Sequence, residues 1–365
     1  MSVTETTPLA RGETLKLEQR EMTKGFLGLS LKNGLLNIIT LTLYRFWGKT
    51  EVRRRVWRAT YLNDEPFEYT GRGGELFKGF LFALLIVGLP FLLVVFAAQM
   101  MGPMLGALII LPLYIFMFFL VGFGMFTAFR YMASRTTWRG IRFRLEGSAV
   151  DYGLRFIACA VISGLTLGWF WPTARRKLAK RIWMNLRFGG DLPFRFDEAA
   201  CRKEKVYGAF TLAWVGSFVA YVLIAGVAVV MGLATKDAAP SEEASLGMIA
   251  IIYLLMLILM PFLLLLYAPY QAAILRSVAA GIVLGDARFK LNVRWLELFW
   301  LTLTNILLIV VTLGFLTPYV EARTARFLVD RISSEGQADL VSVRQAERGP
   351  RTGEGLADAF GLAPI

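Results

Sequence analysis

Histidine is absent from this 365-residue chain, cysteine occurs only twice, and charged residues make up no more than 18%. Without histidine there is no Ser-His-Asp or Cys-His nucleophilic catalysis, no histidine-ligated haem, and none of the common zinc sites that rely on imidazole. Cys159 and Cys201 form neither a redox nor a metal motif and imply no disulfide framework. Phosphate loops and dinucleotide fingerprints are also missing; Gly71-Arg72-Gly73-Gly74 lacks the strand-to-helix context such a loop needs. The reading is therefore of a non-enzymatic chain with no catalytic residue, cofactor or metal.

What is present is apolar. Hydrophobic residues reach 56% and mean hydropathy is +0.55, against roughly 45–50% apolar residues in soluble domains. The excess falls in seven stretches, 26–47, 79–98, 105–129, 152–171, 207–234, 247–275 and 295–319. A transmembrane helix needs about 20 such residues. Lys+Arg number 40 against 27 Asp+Glu, and their placement decides the topology. The link at 99–104 carries no charge, and the one at 235–246 sets Lys236 against Asp237, Glu242 and Glu243. Every other connection is basic, with 6 Lys+Arg in 130–155 and 10 in 172–205. Basic loops stay cytoplasmic, so a full crossing by 152–171 would strand one of these clusters outside. The economical fold is mainly α: two transmembrane hairpins, 79–129 and 207–275, plus three re-entrant or interfacial segments at 26–47, 152–171 and 295–319. A plain six- or seven-span bundle is the alternative.

The three odd stretches resemble one another. Thr40-Leu41-Thr42 is echoed by Thr166-Leu167-Gly168 and Thr312-Leu313-Gly314, with Asn33, Cys159 and Asn305 standing seven residues before each threonine. Pro172 and Pro318 follow the later copies, where the first has Phe46. A basic helix comes next and carries Arg54, Lys180 and Arg326 at one repeated position. Short alternating pieces, Arg142-Phe143-Arg144-Leu145 and Arg288-Phe289-Lys290-Leu291 upstream, Pro66-Phe67-Glu68-Tyr69 and Pro193-Phe194-Arg195-Phe196 downstream, read as cytoplasmic β-strands. The expected organisation is a polar N-terminal tail (1–13), one membrane domain (14–332) built from parallel repeats at 14–70, 140–197 and 286–332, and a disordered tail (333–365) rich in Gly, Ser, Arg and Glu.

These residues carry a resemblance. Asn33 to Trp57, NGLLNIITLTLYRFWGKTEVRRRVW, is similar to the hallmark of the YjgN-like family of bacterial inner-membrane proteins, and TLGWFWPTARRKLAKRIW and TLGFLTPYVEARTARFL fit its Thr-Leu-Gly…Pro…basic pattern. The likeness runs over roughly 17–332 and departs at Thr42 and Phe46, where Gly and Pro are expected. It implies a multi-pass inner-membrane protein; with the basic loops inside, both termini are cytoplasmic. It brings no reaction, substrate or catalytic residue.

Several residues stand out as candidates. Arg54, Lys180 and Arg326 could converge on a lipid headgroup or phosphate, or could simply reflect positive-inside topology. Asp151 and Glu297, each 15 residues before its threonine, could pair with the basic helices or carry a proton; Asp151 could equally cap its helix. Asn33 and Asn305 could glue helices or bind a ligand. Thr40, Thr166, Gly168, Pro172, Thr312, Gly314 and Pro318 form the re-entrant turn, which could line a transport site or merely reverse the chain. Trp47, Trp57, Trp169, Trp171 and Trp183 fit an aromatic belt at the inner interface. The expected partner is anionic phospholipid of the inner leaflet, not nucleic acid. The function these features suggest is a pore or carrier for a small solute or lipid; the alternative is an envelope-organising or lipid-binding scaffold acting through its basic cytoplasmic face.

Overall fold

The computed structural model describes residues 14–20, 25–190, 192–234, 242–340 and 343. The chain begins with β1 (Leu17–Gln19), α1 (Phe26–Ile39), α2 (Arg45–Ala59), β2 (Thr60–Leu62) and β3 (Glu65–Tyr69). A first long hairpin follows. Its outgoing arm is α3 (Gly73–Ala83), a π-helical turn at Leu84–Gly88 and α4 (Leu89–Met100), and it returns as α5 (Pro103–Arg135). Then come β4 (Thr136–Trp138), β5 (Ile141–Leu145), α6 (Ala149–Leu165), α7 (Trp171–Asn185), β6 (Leu186–Phe188), β7 (Leu192–Phe196) and the short α8 (Glu198–Lys203). The second hairpin is α9 (Val206–Ala234) with α10 (Glu242–Gly281), followed by β8 (Ile282–Leu284), β9 (Ala287–Leu291), α11 (Trp295–Val311), α12 (Thr317–Val329) and β10 (Ile332–Glu335).

Among the described residues four helices are long and apolar enough to cross a membrane: Gly73–Met100, Met104–Arg135, Val206–Val227 and Ile249–Gly281. They coincide with the two expected hairpins. The other three apolar stretches each break into two helices. At 1.5 Å per residue the 14-residue α1 is about 21 Å long, short of a hydrocarbon core of about 30 Å.

The break has one construction in all three places. Thr40, Thr166 and Thr312 each follow the last residue of the first helix. Each hydroxyl donates back to a carbonyl one turn earlier, of Leu36, Ile162 or Leu308, and accepts the N–H of Tyr44, Phe170 or Leu316. One side chain thus satisfies groups released by both helix ends. Leu41, Leu167 and Leu313 then take φ near +50°, and the next residue is left-handed too: Thr42 at 70°, Gly168 at 87°, Gly314 at 84°. Pro172 and Pro318 sit in the first turn of α7 and α12, where a missing N–H is harmless. Phe46, standing where the others have proline, is buried against Phe77 and Phe80 of α3. The first turn therefore forms despite both departures, at the cost of a β-branched residue in the left-handed region. Thr42→Gly should raise stability by about 1 kcal/mol, read as a higher unfolding temperature in micelles; an unchanged or lower midpoint would refute the strain.

The short alternating pieces are strands, and they form one antiparallel sheet with all ten in chain order. Tight hairpins join β2–β3, β4–β5, β6–β7 and β8–β9, while β3–β4 and β7–β8 pair across the membrane hairpins and β1–β2, β5–β6 and β9–β10 across the helix pairs. Ser334 Oγ donates to the Leu15 carbonyl, so the last strand returns to the first and the sheet is almost a closed ring. Its inner face is apolar: Leu62, Trp138, Phe188, Phe194 and Leu284 are buried there, with Phe67, Phe143 and Phe289 against them. Alternation puts Arg142, Arg144, Arg187, Arg195, Arg288 and Lys290 on the other face.

This closure also corrects the C-terminal boundary. The segment from Ser333 reads as tail because its residues are polar, yet Ser333–Glu335 pair with β9 and Ala338 and Leu340 are buried in the ring. Pairing main chain to main chain needs no apolar side chain, so composition hides such a strand. Residues 1–13 and 344–365 lie outside the described residues.

The helices close as well. The α1/α2 pair packs on α3, α5 on α6, α7 on α10, α10 on α11, and α12 on both α1 and α2. Two of the three junctions between helix pairs are filled by a long hairpin; the third is direct. There Phe315 lies against α1 at Gly34, where a Cβ would come within 2.2 Å of the ring.

Candidate functional site

Helix pairs and strand ring surround two adjoining cavities. The lower, of about 300 Å³, lies inside the strand ring and has only apolar side chains in its wall, among them Leu62, Phe67, Trp138, Phe188, Phe194 and Phe289. The upper, of about 890 Å³, is bounded by α5, α6, α7, α10 and α12, with Met125, Phe156, Leu178, Ile182 and Ile274 among its walls. Both include Phe67, Phe143, Trp183 and Leu186, which form the partition between them. Among the described residues the one charged group lining this pair is Arg175. Its Nη1 donates to Gln271 Oε1 at 2.8 Å, and its guanidinium stands over the Tyr270 ring. Such walls repel water and favour an apolar occupant.

The sequence candidates sit elsewhere. Arg54 donates to the Gly71 carbonyl at 2.8 Å, Lys180 pairs with Glu198 of α8, and Arg326 pairs with Asp330 one turn along its own helix. Each is bound within its own unit, and no contact brings the three together. Asp151 is not a helix cap: Ser148 takes that place, accepting the Asp151 N–H. The Asp151 carboxylate receives Arg155 and Arg181, the latter from α7 at 2.8 Å. Glu297 receives Arg331 at 2.9 Å. In the first copy the Gly25 carbonyl plays the part of Asp151, taking Arg55 at 3.1 Å. These three staples tie the start of each first helix to the far end of its partner. Asn305 is bonded to Thr324 and Arg323 of α12. Asn33 is 3% exposed and lies against α2 at Gly48, and its Oδ1 accepts no hydrogen bond.

The tryptophans divide. Trp47 and Trp169 are exposed at 42% and 39%, as belt residues would be. Trp171 and Trp183 instead line the cavity, and Trp57 is held inward by its Nε1 on Thr136 Oγ1. Spacing along the chain places a residue at the interface level without saying whether it faces lipid or the interior.

Arg175 was missed as a site residue, though a signal existed. It stands nine residues after Thr166, and Lys49 and Glu321 stand nine after Thr40 and Thr312. All three line internal cavities. Arg54, Lys180 and Arg326 share a charge sign at their repeat position, whereas the mixed-sign position of Lys49, Arg175 and Glu321 is the one that lines the cavities.

The Lys180–Glu198 pair makes a pH prediction. The Lys180 ammonium beside Glu198, with Arg202 adding to it, holds that carboxyl below its usual range. A lowered folded-state pKa stabilises above the ordinary carboxylate range and loses that contribution as pH falls through it. The unfolding temperature should therefore drop on acidification below about pH 4.5, and less steeply in Glu198→Gln; equal slopes would discount the pair.

A mostly helical chain with four helices long and apolar enough to cross a membrane fits the class of polytopic membrane proteins. Over residues 21–359 it matches the family described as bacterial protein of unknown function, DUF898. The chain belongs to that family, the one to which the YjgN-like motif points. No curated protein and no solved structure matches it.

Proposed function

We propose that this protein is a non-enzymatic lipid-binding protein of the bacterial inner membrane, which takes an acyl chain into its central cavity and hands it between the membrane and the cytoplasmic side. The observation that carries this reading is the apolar wall running from the helix layer into the strand ring. A hydrated ion or small polar solute would have to shed its water against Trp183, Phe67 and Phe143 without replacement partners, at several kcal/mol. An alkyl chain loses nothing there and gains about 0.8 kcal/mol per buried methylene. Arg175, at the wall of the upper chamber, suits the anionic end of such a molecule.

The same reading places the three helix pairs as dips from the cytoplasmic face. Leu41, Leu167 and Leu313 at their tips are 84%, 76% and 89% exposed, a cost in water but none in hydrocarbon. The strand ring then lies in the cytoplasm with both termini, and its outward Arg and Lys residues attract anionic phospholipid at about 1 kcal/mol each near the surface. That basic face favours a second reading, a scaffold that organises the envelope by lipid association alone.

Native mass spectrometry of the detergent-purified protein tests the first reading. Retention of about one lipid through detergent exchange, and its displacement by a fluorescent fatty acid, is the expected result. No retained lipid and no fatty-acid uptake would leave only the scaffold. Topology is checked separately: with Cys159 and Cys201 replaced, Gly190→Cys in the exposed β6–β7 turn should react with an impermeant thiol reagent only after the membrane is opened. Labelling of intact cells would overturn the dips.

A further inference from the structure

A further cavity, of about 750 Å³, lies between α2 and α3, where the first helix pair meets the first hairpin. It shares no lining residue with the central chambers, and its chemistry is opposite. Three cations line it: Arg54 of α2, Arg72 just ahead of α3, and Lys78 of α3. Two carboxylates are there as well, but cations from outside the cavity wall neutralise both. Glu51 takes Lys32 at 3.0 Å, and Glu75 takes Arg135 at 2.9 Å. The space is left with a surplus of positive charge. Among the described residues Arg72 and Lys78 have no hydrogen bond or ion pair of their own, and Arg54 engages the Gly71 carbonyl through Nη2.

The other two copies are built differently here. At the repeated basic position Lys180 meets Glu198 and Arg326 meets Asp330, so each faces a carboxylate. Among the described residues Arg54 faces none. The cause is the link into the hairpin. Residues 197–205 build α8 between β7 and α9 and carry Glu198 to Lys180, whereas 70–72 alone join β3 to α3. With so short a link α3 starts hard against α2: a Cβ on Gly73 would come within 2.8 Å of the Trp47 Cα. Positive-inside topology accounts for basic residues in such a loop. It does not account for cations without carboxylate partners gathered on one cavity.

Position narrows the ligand. Gly73 opens the first membrane-length helix, so Arg72 and Lys78 stand at one end of a span. Trp47 lies on the same wall, 42% exposed and stacked on Tyr44 with ring centroids 6.5 Å apart. An exposed tryptophan at the end of a span marks the headgroup level, where the prevalent anion is phosphate. Two guanidinium forks and an ammonium also call for more acceptor oxygens than a carboxylate has. We infer that this groove is a phosphate-binding site, with Arg54, Arg72 and Lys78 as its donors and Trp47 at its edge. The phosphate belongs either to an anionic phospholipid or to a free anion. The site is separate from the acyl-chain cavity and does not depend on it.

The test uses the full chain in phosphatidylcholine nanodiscs. Inorganic phosphate is titrated by calorimetry, and in a parallel arm phosphatidylglycerol is added to the discs and its retention measured by native mass spectrometry. Binding in the first arm identifies a free anion, and retention only in the second a lipid headgroup. Either is expected to weaken about tenfold or more in the double variant Arg72→Gln/Lys78→Gln. Both residues are exposed, so the variant keeps its packing. Lys203→Gln/Lys205→Gln removes equal charge from exposed positions ahead of the second hairpin and should leave binding unchanged. No binding in either arm, or a loss no larger in the first double variant than in the second, overturns the proposal. Ala179→Phe, which fills the central chamber, should leave this binding unchanged, so failure of the acyl-chain reading and failure of this one are told apart.

Discussion

Ala179→Phe and Ala279→Phe, one in each central chamber, are expected to cut lipid retained by the purified protein at least tenfold while leaving it folded. Ala179 is in the wall of the upper chamber and Ala279 in that of the lower. Inserting a large side chain into a close-packed core costs typically 1–3 kcal/mol, but both alanines are half-buried and line open space, Ala279 also packing beside Leu291 and Val293. A phenyl ring there buries its own apolar area and takes the room of several methylenes, so the competing chain loses more than the 1.4 kcal/mol that a tenfold change represents. The measurement pairs native mass spectrometry with an unfolding scan. Full retention in folded variants would mean that the lipid sits on the outside of the helix ring. Arg175→Met makes a finer distinction. It keeps the length of the side chain and removes its charge, so neutral lipid should be retained while anionic lipid weakens by about tenfold or more.

Trp138→Ala should be the most damaging single change to the fold, costing about 3–5 kcal/mol. Trp138 is 1% exposed, packs on Phe188 with ring centroids 5.7 Å apart, and donates its Nε1 to the carbonyls of Leu62 and Glu65. It therefore holds β4 to the turn between β2 and β3 as well as filling the ring. Its loss opens a cavity and orphans the indole's two acceptors together. Leu313→Ala, at a residue 89% exposed, provides the contrast and should fall within about 0.5 kcal/mol in micelles. A small effect at Trp138 would mean that the strand ring contributes little to the stability of the whole.

Some of this architecture could be read directly. Uncharged runs and basic loops located both hairpins, because length, apolarity and charge asymmetry are local properties that a membrane enforces on each segment. The repeated Thr-Leu-Gly located the breaks for an equally local reason, since a hydroxyl and a left-handed residue act within one turn of themselves. Asp151 shows where locality ends. An acid ahead of an apolar run reads as a cap, and only the neighbouring helix reveals that Ser148 caps while Asp151 reaches Arg181.

The rest depends on partners distant in the chain. Strands of three to five residues carry an in-and-out alternation but no address, so nothing in Phe143 or Phe289 announces a ring shared with Leu15 and Leu340. Trp171 and Trp183 look like interface residues until the helix that bears them is turned toward the axis. Arg175, Lys49 and Glu321 share a repeat position, but whether that position faces lipid, water or a cavity is settled by how α2, α7 and α12 rotate against their neighbours. By itself the sequence determined which segments are apolar enough to enter a membrane, where they break and which ends are basic, since each follows from the solvation of a single segment. Tertiary structure alone decided that the strands close into a ring, that the interior holds an apolar chamber and that a cationic groove lies between α2 and α3, because enclosure is a property of many segments meeting and no segment encodes it alone.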